Sequence, residues 1–260
     1  MRIGFLGDLL FPPKCVGCGE RMSVLDSNPE RDNAFCDGCR AEWEREKRTE
    51  CPTCRVAAVE CTCTPDVLDR KHIDCISLVK FGRTQSADRL IYSLKKRKNA
   101  RNFEFAAGEL AKRYLSYADK NGVEASDVIF THVPRKRASI TRFGFDHAEI
   151  LAKRAAELVG CDYDCLIFRK RDGKDQKRLG FTDRRRNVAK SFELSVKGEL
   201  SESCVVLVDD VVTTGNTARE CIRVLREKGV KKVVLLSIAR APEKKVSKRK
   251  RTRTKKSKKD

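Results

Sequence analysis

No stretch of this 260-residue chain is apolar for long enough to cross a bilayer as a helix. The opening residues, MRIGFLGDLLFPP, carry only Arg2 as charge ahead of the apolar stretch, and Asp8 interrupts it. The long apolar centre and small-residue cleavage site of a signal peptide are missing, so a short arm in a cytoplasmic protein without a membrane span is the expectation. Aromatic residues make up only 7% of the chain, and Trp43 is the single tryptophan. Without an aromatic-rich segment there is no dedicated stacking platform for single-stranded nucleic acid. No Ser/His/Asp or Cys/His grouping stands out to suggest covalent catalysis. Acids are also short, 37 against 57 Lys and Arg, for a net charge of +20. Residues 243–260 hold eleven of those cations against Glu243 and Asp260, with one apolar residue among them. Such a run cannot bury enough surface to fold, so a disordered basic tail is expected there. It would either touch nucleic acid weakly through phosphates and counterion release or simply keep the chain solvated.

What the chain has in excess is cysteine, thirteen in all, and eight of them are paired. Cys15-x-x-Cys18 and Cys36-x-x-Cys39 are separated by seventeen residues, and Cys51-x-x-Cys54 is followed by Cys61-x-Cys63. Paired thiolates on tight turns supply two ligands each to a tetrahedral zinc ion, and Gly17, Gly19 and Gly38 give those turns a permissive backbone. In a cytosolic chain short-spaced pairs favour metal over disulfide. Two zinc sites are therefore expected: Cys15, Cys18, Cys36, Cys39, and Cys51, Cys54, Cys61, Cys63. The last pair has a one-residue spacer, and Cys75 lies close enough in sequence to substitute for Cys63. A redox pair or an iron–sulfur cluster fits the spacing less well. Four thiolates close the coordination shell, so both sites read as structural, and a segment of about 60 residues so poor in large apolar side chains needs such a staple. Residues 1–70 are accordingly expected to form a double zinc ribbon. Ribbons of this kind, like the tail, suit nucleic-acid or protein contacts, in keeping with a pI near 9.6.

Further along, 76–83 looks like a strand end, and helices are predicted over 86–97 and 103–118. Residues 128–133 read as a buried parallel strand in which His132 is a packed core residue. The spacing of Ala148, Leu151, Ala152, Ala155 and Val159 predicts a helix over 146–159. Short strands are predicted at Leu166–Phe168 and over 230–238. Strands alternating with helices imply an α/β fold with a doubly wound parallel sheet over 76–240. Residues 169–187 hold nine Lys and Arg against three acids, either a plain surface loop or a cationic lid.

The most informative run is 205–217, VVLVDDVVTTGNT. Four apolar residues lead into Asp209 and Asp210. Two more valines follow, then Thr213, Thr214, Gly215, Asn216 and Thr217. Beyond them Ala218, Cys221, Ile222 and Leu225 mark one helix face. A buried strand, an acid pair at its carboxyl end, a small hydroxyl-rich loop and a helix amino terminus suit a phosphate. Carboxylates beside it can accept hydrogen bonds from sugar hydroxyls.

This run resembles the 5-phosphoribosyl-1-pyrophosphate (PRPP) signature of type I phosphoribosyltransferases. Over residues 7–240 the chain resembles the ComF family of competence-associated proteins, which join a double zinc ribbon to a phosphoribosyltransferase-like domain. GDLLFPPKCVGCGE is similar to that family's opening, and THVPRKR to its first-strand loop. RFGFDHAEILAKRAAEL stands where the family usually reads RGFNQ, with Asp146-His147 replacing Asn-Gln. Gln176, Leu179, Arg184 or Arg185, and Asn187 match a further stretch. The resemblance implies that Asp209 and Asp210, the catalytic acids, hold the ribose hydroxyls directly or through Mg²⁺, and that Thr213 to Thr217 bind the 5-phosphate. It implies a pyrophosphate loop at Pro134, Arg135 and Lys136, with Arg135 making the charge contact, and acceptor recognition from a variable hood and the last strand's end, Ala239 and Arg240. The activity it implies is Mg²⁺-dependent phosphoribosyl transfer. The alternatives are a PRPP-sensing regulator, or an accessory role in DNA uptake beside a competence-machinery protein.

Overall fold

In a computed structural model of the chain, residues 12–22, 34–68, 72–170, 191–195, 200 and 204–241 are described. The amino-terminal arm, residues 171–187 of the basic loop, with Gln176, Leu179, Arg184, Arg185 and Asn187, and the tail 243–260 lie outside them. The described elements are α1 (Asp37–Lys47), β1 (Ile73–Lys80), α2 (Gln85–Lys96), α3 (Ala100–Asn121), a 3₁₀ turn (Ala125–Asp127), β2 (Val128–His132), α4 (Arg137–Phe143), α5 (His147–Val159), β3 (Asp162–Tyr163), β4 (Ile167–Arg169), β5 (Phe192–Leu194), β6 (Cys204–Val212), α6 (Asn216–Arg226) and β7 (Lys232–Arg240).

Five strands form a wholly parallel sheet in the order β1-β7-β6-β2-β3. In its centre Val206 stands opposite Val234 on one side and Phe130 on the other. Both sheet faces are covered, which is why β6 and β7 read as continuous apolar runs rather than alternating ones. Alternate residues serve the two cores. Val206, Val208, Val234 and Leu236 pack with Phe105, Leu110, Tyr114 and Leu151. Val205, Leu207, Val233 and Leu235 pack with Cys221, Ile222 and Leu225 of α6. Capping fixes the helices between. Asn99 accepts from the Asn102 amide at the start of α3, and Asp146 from the Ala148 amide at the start of α5. Gly122, at φ +60°, supplies the left-handed residue that ends α3.

Three features depart from the sequence expectations. β1 opens at Ile73, so it crosses the boundary expected at 76. The strand expected at Leu166–Phe168 is β4, and it leaves the parallel sheet to pair antiparallel with β5. Its Phe168 is exposed, so the short run offers only one apolar face. The polar α1 was not anticipated. Its Trp43 is fully buried, edge-on to Phe105 and tilted against Phe35. The indole Nε1 donates to Glu109 Oε2 at 3.0 Å, and Lys47 Nζ donates to the same oxygen at 2.7 Å. The cysteine-rich segment thus shares the core of the sheet domain. No helix among the described residues is long and apolar enough to cross a membrane.

Candidate functional site

In an open parallel sheet the strands' carboxyl ends and following loops form one rim, where ligands sit. Here β2 and β6 are neighbours, with Val133 N donating to Val208 O at 2.9 Å. The loop after β2, with Arg135 and Lys136, therefore stands beside Asp209, Asp210 and the loop Thr213–Thr217. Successive strand residues face opposite ways, so the two acids enter different surroundings. Asp210 lies on the face of Val206 and Val208. It is buried, and its Oδ2 meets His147 Nε2 at 2.5 Å and Lys95 Nζ at 2.9 Å. Burial raises its carboxyl, but His147 and then Lys95 outweigh that and hold it below the ordinary aspartate range. Asp209 lies on the α6 face and accepts from the Asp210 amide at 2.8 Å. Burial, then the charge of Asp210, push it well above the usual range. The two carboxyls are thus pushed in opposite directions by their surroundings.

The pair Asp146-His147 finds its contacts here. Asp146 Oδ2 accepts from the Arg135 amide at 2.7 Å while its Oδ1 caps α5, so it folds the loop after β2 back onto the helix. His147 then reaches Asp210, and its other ring nitrogen, Nδ1, is buried without a hydrogen-bond partner. His132 is buried, as expected. It stacks on Tyr163, whose hydroxyl lies 3.0 Å from Nδ1, and burial lowers its pKa.

Arg135, expected to make the charge contact, engages protein groups in this structure. Its guanidinium donates to Lys95 O at 2.7 Å and Phe145 O at 3.2 Å, and lies over the rings of Phe143 and Phe145. It ties the end of α2, and with it Lys95, to the rim. Lys136, exposed at the start of α4, is the cation of this loop that faces solvent. Sequence reasoning missed Lys95, which falls near the end of the helix predicted over 86–97.

Past β6, Thr213 and Thr214 are exposed, and Asn216 Nδ2 donates to Thr214 Oγ1 at 3.0 Å. Gly215 turns the chain at φ +74°, and α6 begins there with no side-chain cap. The first-turn amides of an uncapped helix are open to an anion. Residues 65–68, just past the second cysteine group, pack against this turn. A β-carbon on Gly215 would stand 3.0 Å from Val67 and 3.4 Å from Pro65.

Both expected cysteine quartets come together. The sulfurs of Cys15, Cys18, Cys36 and Cys39 lie within 4.8 Å of one another, as do those of Cys51, Cys54, Cys61 and Cys63. Cys63 rather than Cys75 completes the second group. Sγ–Sγ separations of 3.7 Å (Cys18–Cys36), 3.6 Å (Cys54–Cys61) and 3.4 Å (Cys51–Cys61) are far too long for disulfides. They are close to the roughly 3.8 Å edge of a zinc–tetrathiolate tetrahedron. Amides point at the sulfurs, Cys36 N to Cys15 Sγ at 3.2 Å and Cys63 N to Cys61 Sγ at 3.4 Å. Without a cation the thiols ionise unequally: at Cys51 burial is outweighed by amide and thiol donors that bring it down to about 6, while burial and the neighbouring sulfurs push Cys63 up to about 12. Each donor set fits a zinc ion.

The sheet order, the acid pair and the uncapped turn describe a phosphoribosyltransferase-type domain. The family model for the phosphoribosyl transferase domain matches residues 98–259, well over half of the chain, and the chain belongs to that family. Competence protein F of Haemophilus influenzae is 33% identical over 102 residues, 38% of this chain and 44% of that protein, so the match spans less than half of that relative. DNA utilization protein YhgH of Salmonella typhimurium is 28% identical over 216 residues, 79% of this chain and 90% of its own. Competence protein ComFC of Streptococcus pneumoniae is 22% identical over 236 residues, 87% of this chain and 100% of its own. With its two cysteine quartets, the chain falls among the ComF and YhgH proteins. A purine phosphoribosyltransferase from Pyrococcus horikoshii Ot3 superposes on 57% of this chain and 78% of its own, at 20% identity. Its TM-score of 0.35 is too low to support an argument.

Proposed function

We propose that the rim binds PRPP, with Mg²⁺ accompanying the pyrophosphate, and that the protein transfers the phosphoribosyl group to an acceptor in the cytoplasm. The observation that carries this reading is the acid pair running straight into a glycine turn and an uncapped helix start, all at the carboxyl edge of one parallel strand. The amides of Asn216 to Ala218 and the hydroxyls of Thr213, Thr214 and Thr217 would hold the 5-phosphate. Asp209 and Asp210 would take the ribose diol. Asp210 already has His147 and Lys95 as partners, so a divalent ion at the pair would meet Asp209 first. Magnesium would neutralise the leaving group. The acceptor's lone pair would form the new bond to the anomeric carbon while the bond to pyrophosphate breaks, the leaving oxygen keeping the electron pair and the acceptor losing its proton. The need is for charge stabilisation and positioning, not a covalent catalyst.

Calorimetry on the full zinc-loaded chain tests the reading. PRPP should bind more tightly with Mg²⁺, and Asp209→Asn with Asp210→Asn should abolish binding. A wild type that takes up no PRPP rules out both transfer and sensing. Binding without pyrophosphate release across a panel of bases and amines would favour a sensor. The relatives' names support a second reading, a DNA-handling accessory that binds without turnover, in contact with a competence-machinery protein. Gel shifts across a salt series, with and without residues 243–260, test the tail's part. Unchanged affinity after truncation removes it.

A further inference from the structure

The second cysteine quartet has a cation aimed at its sulfurs, and that cation belongs to the ligand rim. Arg240 is the last residue of β7 and stands opposite Val212, the last residue of the strand that carries Asp209 and Asp210. Its side chain runs to the cysteines. Nη2 lies 3.8 Å from Cys51 Sγ and 3.7 Å from Cys61 Sγ, and Nη1 donates to Cys63 O. A second guanidinium, Arg113 of α3, is buried and donates to Cys61 O at 3.4 Å. Lys80, the last residue of β1, donates to Glu50 O at 2.7 Å, just before Cys51. Among the described residues the first quartet has nothing equivalent on its sulfurs. Its neighbour Arg89 donates to a backbone carbonyl, Gly17 O, at 2.7 Å.

A zinc ion held by four thiolates carries a net charge of −2. Buried against a domain, that charge needs donors on the sulfurs, and such outer partners orient the ligands and hold the metal. We infer that Arg240 is the outer-sphere partner of the second metal site: it balances the tetrathiolate and fastens that site to the β6–β7 end of the ligand rim. Arg240 is thus a positioning residue, not an acceptor-reading one. This rests on zinc occupying the second quartet and is independent of what the rim binds.

The test is metal release from the full zinc-loaded chain to a chromophoric chelator, which needs no sugar phosphate. Wild type should yield two zinc equivalents. In Arg240→Gln one equivalent should loosen by about tenfold or more, while the other keeps its wild-type affinity. Arg240→Lys should recover part of the loss. With cobalt in place of zinc, the sulfur-to-metal charge-transfer band of that same equivalent should shift in Arg240→Gln, a signature that a purely space-filling role would leave alone. A Cys18→Ser variant, which disables the other site, identifies which equivalent is which. Trp43 emission guards against general unfolding. Equal loosening of both sites, an unchanged affinity and cobalt band in Arg240→Gln, or a wild type holding only one zinc would each overturn the inference.

Discussion

Gly215 offers a quantitative check on how the glycine turn is held. Replacing it with alanine adds one β-carbon, 3.0 Å from Val67 Cγ2, 3.4 Å from Pro65 Cβ and 3.6 Å from Leu68 Cγ. The residue also sits at φ +74°, where any side chain pays a left-handed penalty of about 1 kcal/mol. The crowding adds about 1 kcal/mol or more, because the branched Val67 and the proline ring cannot swing aside as a lysine would. The two effects can be separated within this chain. Gly122 has φ +60°, yet nothing lies within 4 Å of where its β-carbon would stand. Gly122→Ala therefore measures the backbone penalty alone, about 1 kcal/mol, and Gly215→Ala should cost about twice that or more. For a domain of this size each kilocalorie lowers the melting temperature by about 2–4 °C. The assay is thermal or urea unfolding of the zinc-loaded chain, followed through Trp43. A Gly215→Ala loss no larger than that of Gly122→Ala would refute the packing of residues 65–68 on the turn.

Other perturbations follow from the same contacts. Glu109→Ala strands the buried indole N–H of Trp43 and removes one partner of Lys47, and should cost about 1–3 kcal/mol in urea unfolding; a neutral result would mean that water replaces the carboxylate. Asp210 is held below its ordinary pKa, so its stabilisation is present above the unfolded carboxyl value near pH 4 and fades as pH falls through the depressed folded value. Removing both partners in a His147→Gln, Lys95→Met variant lifts that folded value, so acid unfolding should begin at higher pH; an unmoved acid limb argues against the pairing. Stripping zinc should shift Trp43 emission to longer wavelength, since the indole packs on Phe35 beside Cys36. An unshifted spectrum would show that this core stands without metal.

The parts of the fold legible in the sequence are those fixed by local spacing. The double burial of β6 writes itself as Val205 to Val208, the stripe of α6 as Ala218, Cys221, Ile222 and Leu225, and the quartets as cysteine pairs. The illegible parts depend on partners far along the chain. The polar helix α1 exists because Phe105 and Glu109, more than sixty residues on, receive Trp43. The pairing of β4 with β5 was invisible for the same reason.

The candidate site divides along the same line. Position on the rim was readable from strand, acids and glycine turn, but the task of each charge was not. Arg135 reads in sequence as a loop cation, and its contacts with Phe143, Phe145 and two carbonyls are set by partners that no local pattern marks. The cation that does meet an acid is Lys95, from a helix end that no motif marks. Adjacent acids look equivalent in one dimension, but the pleat sends Asp210 into a cage of His147 and Lys95 and Asp209 to the opposite face. Of the pair that stands where the family usually reads Asn-Gln, His147 is the one that meets Asp210. Asp146 caps α5 and folds the loop after β2 back onto the Arg135 amide, while His147 brings its ring to Asp210.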